Sequence, residues 1–162
     1  MNLTLPQTLR KYSPYAITVD DFVESADEKK IKKVFETMQS AWENKDVVTF
    51  STCFTEDSDF VSFRGDHYKG RENNIAKHVQ FNNTRLYIDI KSIRFLNNEM
   101  AVVHAEGAVL PEWQYDISSC KLSYNTNILI KENGDWKITS FHNSRKEKAG
   151  IIERMVKWFV KR

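Results

Sequence analysis

The spacing of apolar residues predicts a long amphipathic helix in the first third of the chain. Ser25 and Glu28 match a capping box, in which the two side chains satisfy free backbone amides at a helix N-terminus. Behind this cap, apolar residues recur every three or four positions, at Ile31, Val34, Phe35, Met38, Ala41 and Trp42. This period places them on one side of a helix, so residues 25 to about 42 are expected to form a helix with one buried face.

The next stretch predicts short elements of mixed type. A second helix is expected around Phe50 and Cys53, followed by a strand over residues 59–63 that ends at the turn signal Arg64-Gly65-Asp66. Residues 70–81 resemble a third, short helix that carries His78 near its apolar side.

From residue 84 onward the alternation of apolar and polar residues predicts long antiparallel strands. The strands are expected at 84 to the turn at 97–98, at 100–110, at 122–131 and at 135–143, with Asn133-Gly134 as a hairpin turn. One apolar face of this sheet must be covered, and the first helix is the available cover. We therefore expect an α+β fold, a curved, mostly antiparallel sheet around the N-terminal helix. Such a sheet forms a cone whose open end is a pocket.

Strand alternation also predicts which side chains point into the pocket. We expect Lys131 and Lys137 to face water, which turns every second neighbour inward. The inward side chains on the last two strands would then be Tyr124, Thr126, Ile128, Ile130, Trp136, Ile138, Ser140 and His142.

The chain length predicts one domain with two appendages. Residues 1–24 are expected to form an arm or lid, 25–144 the domain, and 145–162 a basic amphipathic helix of the same domain. From residue 145 onward there are seven basic and two acidic residues. This helix is interpreted as packed on the domain or on a dimer partner, in preference to docking on a membrane surface.

Composition excludes several classes of function. The net charge of +2 gives no general attraction to nucleic acid. The two cysteines, Cys53 and Cys120, show no zinc-ligand spacing and are expected to be free thiols. The N-terminal sequence has no signal-peptide pattern and no apolar run reaches bilayer length, so a cytoplasmic location is expected.

Several stretches follow one another along the chain: AWENKD at 41–46, FTEDSDFV at 54–61, Gly70-Arg71 before a helix with His78, SIRFL at 92–96, AVVH at 101–104 and GDWKITSFHN at 134–143. In their order and spacing they resemble the SnoaL-like branch of the nuclear transport factor 2-like superfamily, closest to its SgcJ/EcaC group. The resemblance implies a cone-shaped α+β barrel with a hydrophobic pocket, usually dimeric through the outer face of the sheet. Relatives include isomerases, cyclases, dehydratases, hydrolases and domains that only bind or assemble, so the fold does not fix the function.

Catalysis in such a pocket would require an acid or base with a pKa near neutrality. The candidates are His142 or His78 as the proton carrier and Tyr124 as a hydrogen-bond donor to a substrate oxygen. The expected pocket wall comprises Trp42, Phe50, Phe60, Phe63, Thr126, Trp136 and Ile138. His104 is interpreted as a core or interface residue, and His67 as exposed. We expect no redox cofactor and no metal, because the chain lacks GxGxxG and metal-ligand motifs.

The sequence thus predicts a protein with a pocket for a hydrophobic small molecule. In one hypothesis it is a non-redox acid/base enzyme of isomerase, cyclase or dehydratase type. In the other it is a non-catalytic ligand-binding or dimeric assembly domain. Apolar residues assigned to the outer sheet face (Val102, Val109, Ile93 and Phe95) predict a homodimer.

Overall fold

The computed structural model describes residues 24–78, 83–118 and 120–146. These residues form three helices: α1 (Ala26–Glu43), α2 (Val47–Thr52) and α3 (Arg71–His78). The strands are β1 (Phe54–Val61), β2 (His67–Lys69), β3 (Thr84–Asn97), β4 (Met100–Pro111), β5 (Ser123–Glu132) and β6 (Asp135–Arg145). The predicted N-terminal arm and C-terminal helix lie outside the described residues, apart from Glu24, Arg145 and Lys146.

Helix α1 begins at the predicted capping box. The Ser25 hydroxyl accepts a hydrogen bond from the Glu28 amide at 3.1 Å, and the Glu28 carboxylate accepts one from the Ser25 amide at 2.7 Å. Its buried residues are the predicted ones: Ile31, Phe35, Met38, Ala41 and Trp42. The amphipathic helix inferred from the apolar period is therefore confirmed.

The strands form one open sheet of six strands in the order β2-β1-β6-β5-β4-β3. Neighbours are antiparallel except for β1 and β6, which run parallel. The α+β class and the cone-like curvature around α1 agree with expectation, but the sheet does not close into a barrel. Helix α1 packs across β3 and β6 and covers the inner face of the sheet.

The predicted facing of β5 is wrong because Lys131 does not face water. Its ammonium lies 2.8 Å from the Asp27 carboxylate, in the first turn of α1, and 5.0 Å from the centre of the Trp136 ring. The same carboxylate accepts a hydrogen bond from the Trp136 indole at 2.9 Å. A carboxylate on the covering helix thus holds this lysine on the helix side of the sheet. The inward residues of β5 are consequently Asn125, Asn127 and Leu129, all buried.

The predicted facing of β6 is correct at one end of the strand and wrong at the other. Trp136 and Ile138 are buried as expected. Leu129 pairs with Ile138 whereas Ile128 pairs with Ser140, so Thr139 is an extra residue in β6, a β-bulge. Beyond the bulge the alternation shifts by one position. Phe141 is therefore buried and His142 is exposed.

The outer face of the sheet carries apolar residues among polar ones, but most of these are not the predicted residues. Ile93 packs against the core, and the Phe95 ring lies 5.8 Å from the ring of Trp136 on the inner side. Of the four residues predicted to lie on the outer face, only Val102 lies there. The outward side of β5 now adds Ile128 and Ile130 to this face.

Two further predictions from the sequence can be compared with the described residues. Cys53 is buried and Cys120 is partly buried, and both are free thiols, as expected. Within the described residues no helix has the length and apolar character needed to cross a membrane.

Candidate functional site

A cavity of about 720 Å³ opens between the helices and the inner face of the sheet. Each layer contributes apolar side chains to it, which are Met38 and Trp42 from α1, Phe50 from α2, Phe54 and Phe60 from β1, Leu86 and Ile88 from β3, and Phe141 from β6. The predicted wall residues Trp42, Phe50, Phe60 and Phe63 all line it. A cavity of this size and lining suits a mostly apolar small molecule.

His78 occupies the last turn of α3 and is surrounded by aromatic rings. Its ring centre lies 4.8 Å from that of Phe60 and 5.6 Å from those of Phe50 and Trp42. The Nδ1 atom lies 2.6 Å from the backbone carbonyl of Asn74. Because a carbonyl only accepts hydrogen bonds, Nδ1 carries a proton, and Nε2 is the basic nitrogen of the neutral ring.

Burial lowers the pKa of His78 below its ordinary value of 6.5. The hydrogen bond to Asn74 opposes this shift, and the positive charge of Lys77 adds to it. The imidazole is therefore neutral at neutral pH. Within the cavity it can accept a proton at Nε2, and the resulting imidazolium would give the proton up readily, since its surroundings disfavour the charge.

Asparagine side chains supply the polar part of the inner sheet face. Asn125 and Asn143 stand opposite each other on β5 and β6, and both line the cavity. Asn127, completely buried, donates hydrogen bonds from Nδ2 to the Val103 carbonyl at 3.3 Å and to Oδ1 of Asn125 at 3.1 Å. The sequence analysis missed this group because it placed the alternate residues of β5 inward. The sequence did contain an indication of the correct inward face, because the apolar Leu129 shares a face with Asn125 and Asn127.

Basic side chains dominate the charged part of the lining. Of the residues that the structure describes, Arg64, Lys77, Lys121 and Arg145 line the cavity together with one acid, Asp66. Within the described part of the chain none of the four has a carboxylate at ion-pair distance. The guanidinium carbons of Arg64 and Arg145 lie 5.4 and 4.8 Å from the centre of the Phe63 ring. These charges favour a ligand with an electron-rich or anionic end.

Two predicted catalytic residues lie away from the cavity. His142 is exposed, and Tyr124 is 40% exposed on the outer face, stacked on His104 with 5.8 Å between ring centres. Their predicted inward facing was therefore wrong, for the reasons given above for β5 and β6. Thr126 shares their outer face, opposite His104 and His142. It was wrongly predicted as pocket wall.

The remaining predicted residues lie in the core or near the surface, outside the cavity. Trp136 and Ile138 are buried in the core beneath α1 and do not line the cavity, so their assignment to the wall was also wrong. The His104 ring lies 3.3 Å from the Ser92 hydroxyl, and His67 pairs with Asp59 at 2.8 Å near the surface. Across residues 24–78, 83–118 and 120–146, no three histidine, cysteine or acidic side chains converge as a metal site would require.

An open sheet wrapped around an N-terminal helix, with a cavity against its inner face, defines a cystatin-like α+β fold of the NTF2-like type. A solved Nostoc punctiforme domain of unknown function with a cystatin-like fold is 28% identical over 86% of each chain, with a TM-score of 0.68. An NTF-2 like protein of unknown function from Shewanella oneidensis is 19% identical, covering 73% of this chain and 98% of its own, with a TM-score of 0.62.

A third similar structure carries a chemical description. It is a candidate scytalone dehydratase from Novosphingobium aromaticivorans, 12% identical over 75% of this chain and 85% of its own, with a TM-score of 0.64. At this identity the likeness is one of fold alone. No family model and no curated protein matches the sequence.

Proposed function

We propose that this protein binds a largely apolar small molecule in the cavity and that His78 transfers a proton on it, in a non-redox isomerisation or dehydration. One observation carries the proposal: a neutral imidazole with a defined basic nitrogen lies among Trp42, Phe50 and Phe60 on the wall of an open cavity. We also propose that the chain belongs to the SnoaL-like branch, as the sequence motifs imply.

The surroundings of His78 suit a residue that takes up a proton and then releases it. Nε2 would remove a proton from a carbon of the bound molecule, leaving the electron pair in the ligand. The imidazolium would return that proton to another carbon, which is an isomerisation, or to a leaving hydroxyl, which is a dehydration that releases water. Because burial and Lys77 both disfavour the imidazolium, the second transfer is favoured as soon as the first is made.

A non-catalytic ligand-binding module is the second candidate function. The observation that favours it is the lining itself, where the only acidic side chain among the described residues, Asp66, is hydrogen-bonded to Ser62 at 3.0 Å. The carboxylate of Asp66 is thus engaged by Ser62, and the described lining offers no other carboxylate as a second acid/base group. The open volume argues against the assembly-only alternative, in which aromatic side chains would fill the cavity.

The outer face of the sheet supports a proposal of a homodimer. Val102, Ile128 and Ile130 lie on this face with Tyr124, whose ring is 40% exposed. A second copy of the chain would remove these apolar side chains from water.

A thermal-shift screen of apolar metabolites tests the proposed function. A ligand at 100 times its dissociation constant stabilises the native state by about 2.7 kcal/mol, which raises the melting temperature measurably. Hits are then tested for turnover with the wild type, with His78→Gln and with the control His67→Gln. We expect His78→Gln to bind the hit and lose turnover, and His67→Gln to keep both. Binding without turnover in the wild type would favour the non-catalytic module, and full activity of His78→Gln would exclude the proposed proton carrier.

A further inference from the structure

The hydrogen bonds of Asn127 fix the orientation of two carboxamides on the inner face of β5. The atom of Asn127 that contacts the Val103 carbonyl must be nitrogen, because a carbonyl oxygen only accepts hydrogen bonds. The same nitrogen lies 3.1 Å from the Asn125 carboxamide, so the Asn125 atom there must be the oxygen. Neither side chain can be turned over without losing these bonds.

The Asn125 oxygen is therefore occupied, and its Nδ2 amide remains as a donor. This amide has no hydrogen-bond partner among the described residues, although Asn125 is only 2% exposed and lines the cavity. Nδ2 lies 3.5 Å from the position that a Cβ atom on Gly107 would occupy, and Gly107 lines the cavity as well. The absence of a side chain at Gly107 leaves space beside the amide. A buried amide with this orientation can only donate a hydrogen bond.

We infer that the ligand of this cavity is an apolar molecule bearing a carbonyl or carboxylate oxygen, which accepts a hydrogen bond from Asn125 Nδ2. This inference rests on the proposed binding function and adds the class of ligand. Asn125 is the residue that determines specificity, and Asn127 is a positioning residue that acts through it.

The buried position of Asn127 supports a positioning role. Its Oδ1 atom is buried without a partner among the described residues, which costs stability that a leucine at this site would not. What the asparagine provides in return is the fixed orientation of Asn125. The neighbouring basic residues Arg64, Lys77, Lys121 and Arg145 make a carboxylate the tighter-binding form of the two oxygen acceptors.

Three probes with one ring system test the inference. They are 2-acetylnaphthalene, which has a ketone oxygen, 2-isopropenylnaphthalene, which replaces that oxygen by carbon, and 2-naphthoate, which has a carboxylate. Dissociation constants are measured by isothermal titration calorimetry for the wild type, for Asn125→Leu and Asn127→Leu, and for the control Thr126→Ala on the outer side of the same strand. Circular dichroism establishes that each variant is folded.

We expect the wild type to bind the ketone about tenfold more tightly than the alkene, the value of one hydrogen bond, and the carboxylate more tightly still. Asn125→Leu should reduce the ketone-to-alkene ratio to about one while keeping affinity for the alkene. Asn127→Leu should lower the same ratio without removing any group that touches the ligand, and Thr126→Ala should leave it unchanged.

Other outcomes separate this inference from the proposed function. Equal binding of ketone and alkene by the wild type would overturn the inference and leave the cavity as a binding site. An unchanged ratio in Asn125→Leu would also overturn it. Binding of none of the three probes would overturn both.

A second measurement covers the case in which Asn125→Leu does not fold. The side-chain amide signals of Asn125 in the wild type are followed by NMR during titration with each probe. We expect them to shift with the ketone and carboxylate beyond any shift produced by the alkene. Equal shifts with all three probes would contradict the inference.

Discussion

At the scale of single residues, the chemistry of the cavity depends on groups whose proton positions are fixed by backbone carbonyls. Asn74 fixes the tautomer of His78, and Val103 fixes the orientation of Asn127 and, through it, of Asn125. The imidazole of His78 and the carboxamide of Asn125, both in the cavity lining, are thus oriented before a ligand binds. Because these groups are oriented before binding, less of the binding free energy is lost to ordering the site.

The lowered pKa of His78 predicts a pH dependence of stability. In the unfolded chain this imidazole titrates near 6.5, whereas in the folded protein it titrates at lower pH. The unfolded state therefore binds more protons between these values, so the contribution of His78 is complete above about pH 6.5 and is lost as pH falls through that range. We expect the melting temperature to drop between about pH 7.5 and 5.

Replacement of the imidazole should reduce this pH dependence. His78→Gln removes the titrating ring, so its melting temperature should fall less than that of the wild type over the same interval. The carboxyl groups with lowered pKa values (Asp27, Asp46, Glu106 and Asp116) lose their charge at lower pH and do not interfere. Identical profiles for the two proteins, measured by differential scanning calorimetry, would show that His78 does not have a lowered pKa.

At the scale of elements, local patterns predicted what each segment becomes but not always which way it faces. The cap at Ser25 and the apolar period of α1 are properties of neighbouring residues, and both predicted that helix correctly. Which side chains of β5 face inward depends on Lys131, which is paired with Asp27 more than 100 positions away. Which side chains of β6 face inward beyond Ile138 depends on a bulge at Thr139, and this bulge is defined by the pairing with β5. Both are tertiary properties, so the candidate site was predicted less well than the fold.

Strands β3 and β4 approach each other closely at Gly107, and this predicts that one added methyl group there destabilises the protein. A Cβ atom at this position would lie 2.8 Å from the backbone carbonyl oxygen of Tyr87, closer than such atoms come. Because backbone cannot move aside cheaply, Gly107→Ala should destabilise the protein by about 1–3 kcal/mol in urea denaturation. Ala108→Gly, at the next position of the strand, should cost no more than about 1 kcal/mol. Wild-type stability of Gly107→Ala would refute the close approach.

At the scale of the whole molecule, the inner face of the sheet forms the cavity and the outer face is available for association. Among the described elements, every helix and every strand except β2 contributes residues to the cavity lining. Small changes in α1 or α3 therefore alter the shape of the cavity. The fold is shared with proteins whose descriptions differ, so the fold alone does not determine the function, which depends on the side chains of the cavity.

The apolar side chains on the outer face predict the state of assembly in solution. We expect sedimentation velocity at micromolar concentration to give a dimer, with twice the chain mass of 19.0 kDa. Ile128→Lys should shift the protein to a monomer, because it places a charge in the proposed interface. Val48→Lys should not, since Val48 is 76% exposed on α2. A wild type that sediments as a monomer would refute the proposed dimer.

Proton exchange on a bound ketone tests the central claim, that His78 transfers a proton in an apolar binding cavity. The probe is 2-tetralone, whose hydrogens next to the carbonyl exchange slowly with solvent D2O and are followed by NMR. We predict that the wild type accelerates this exchange by about 100-fold or more over buffer, a typical contribution of a positioned base. His67→Gln should retain the acceleration and His78→Gln should lose it. Exchange at the buffer rate while 2-tetralone is bound to the wild type, or undiminished exchange with His78→Gln, would contradict the claim.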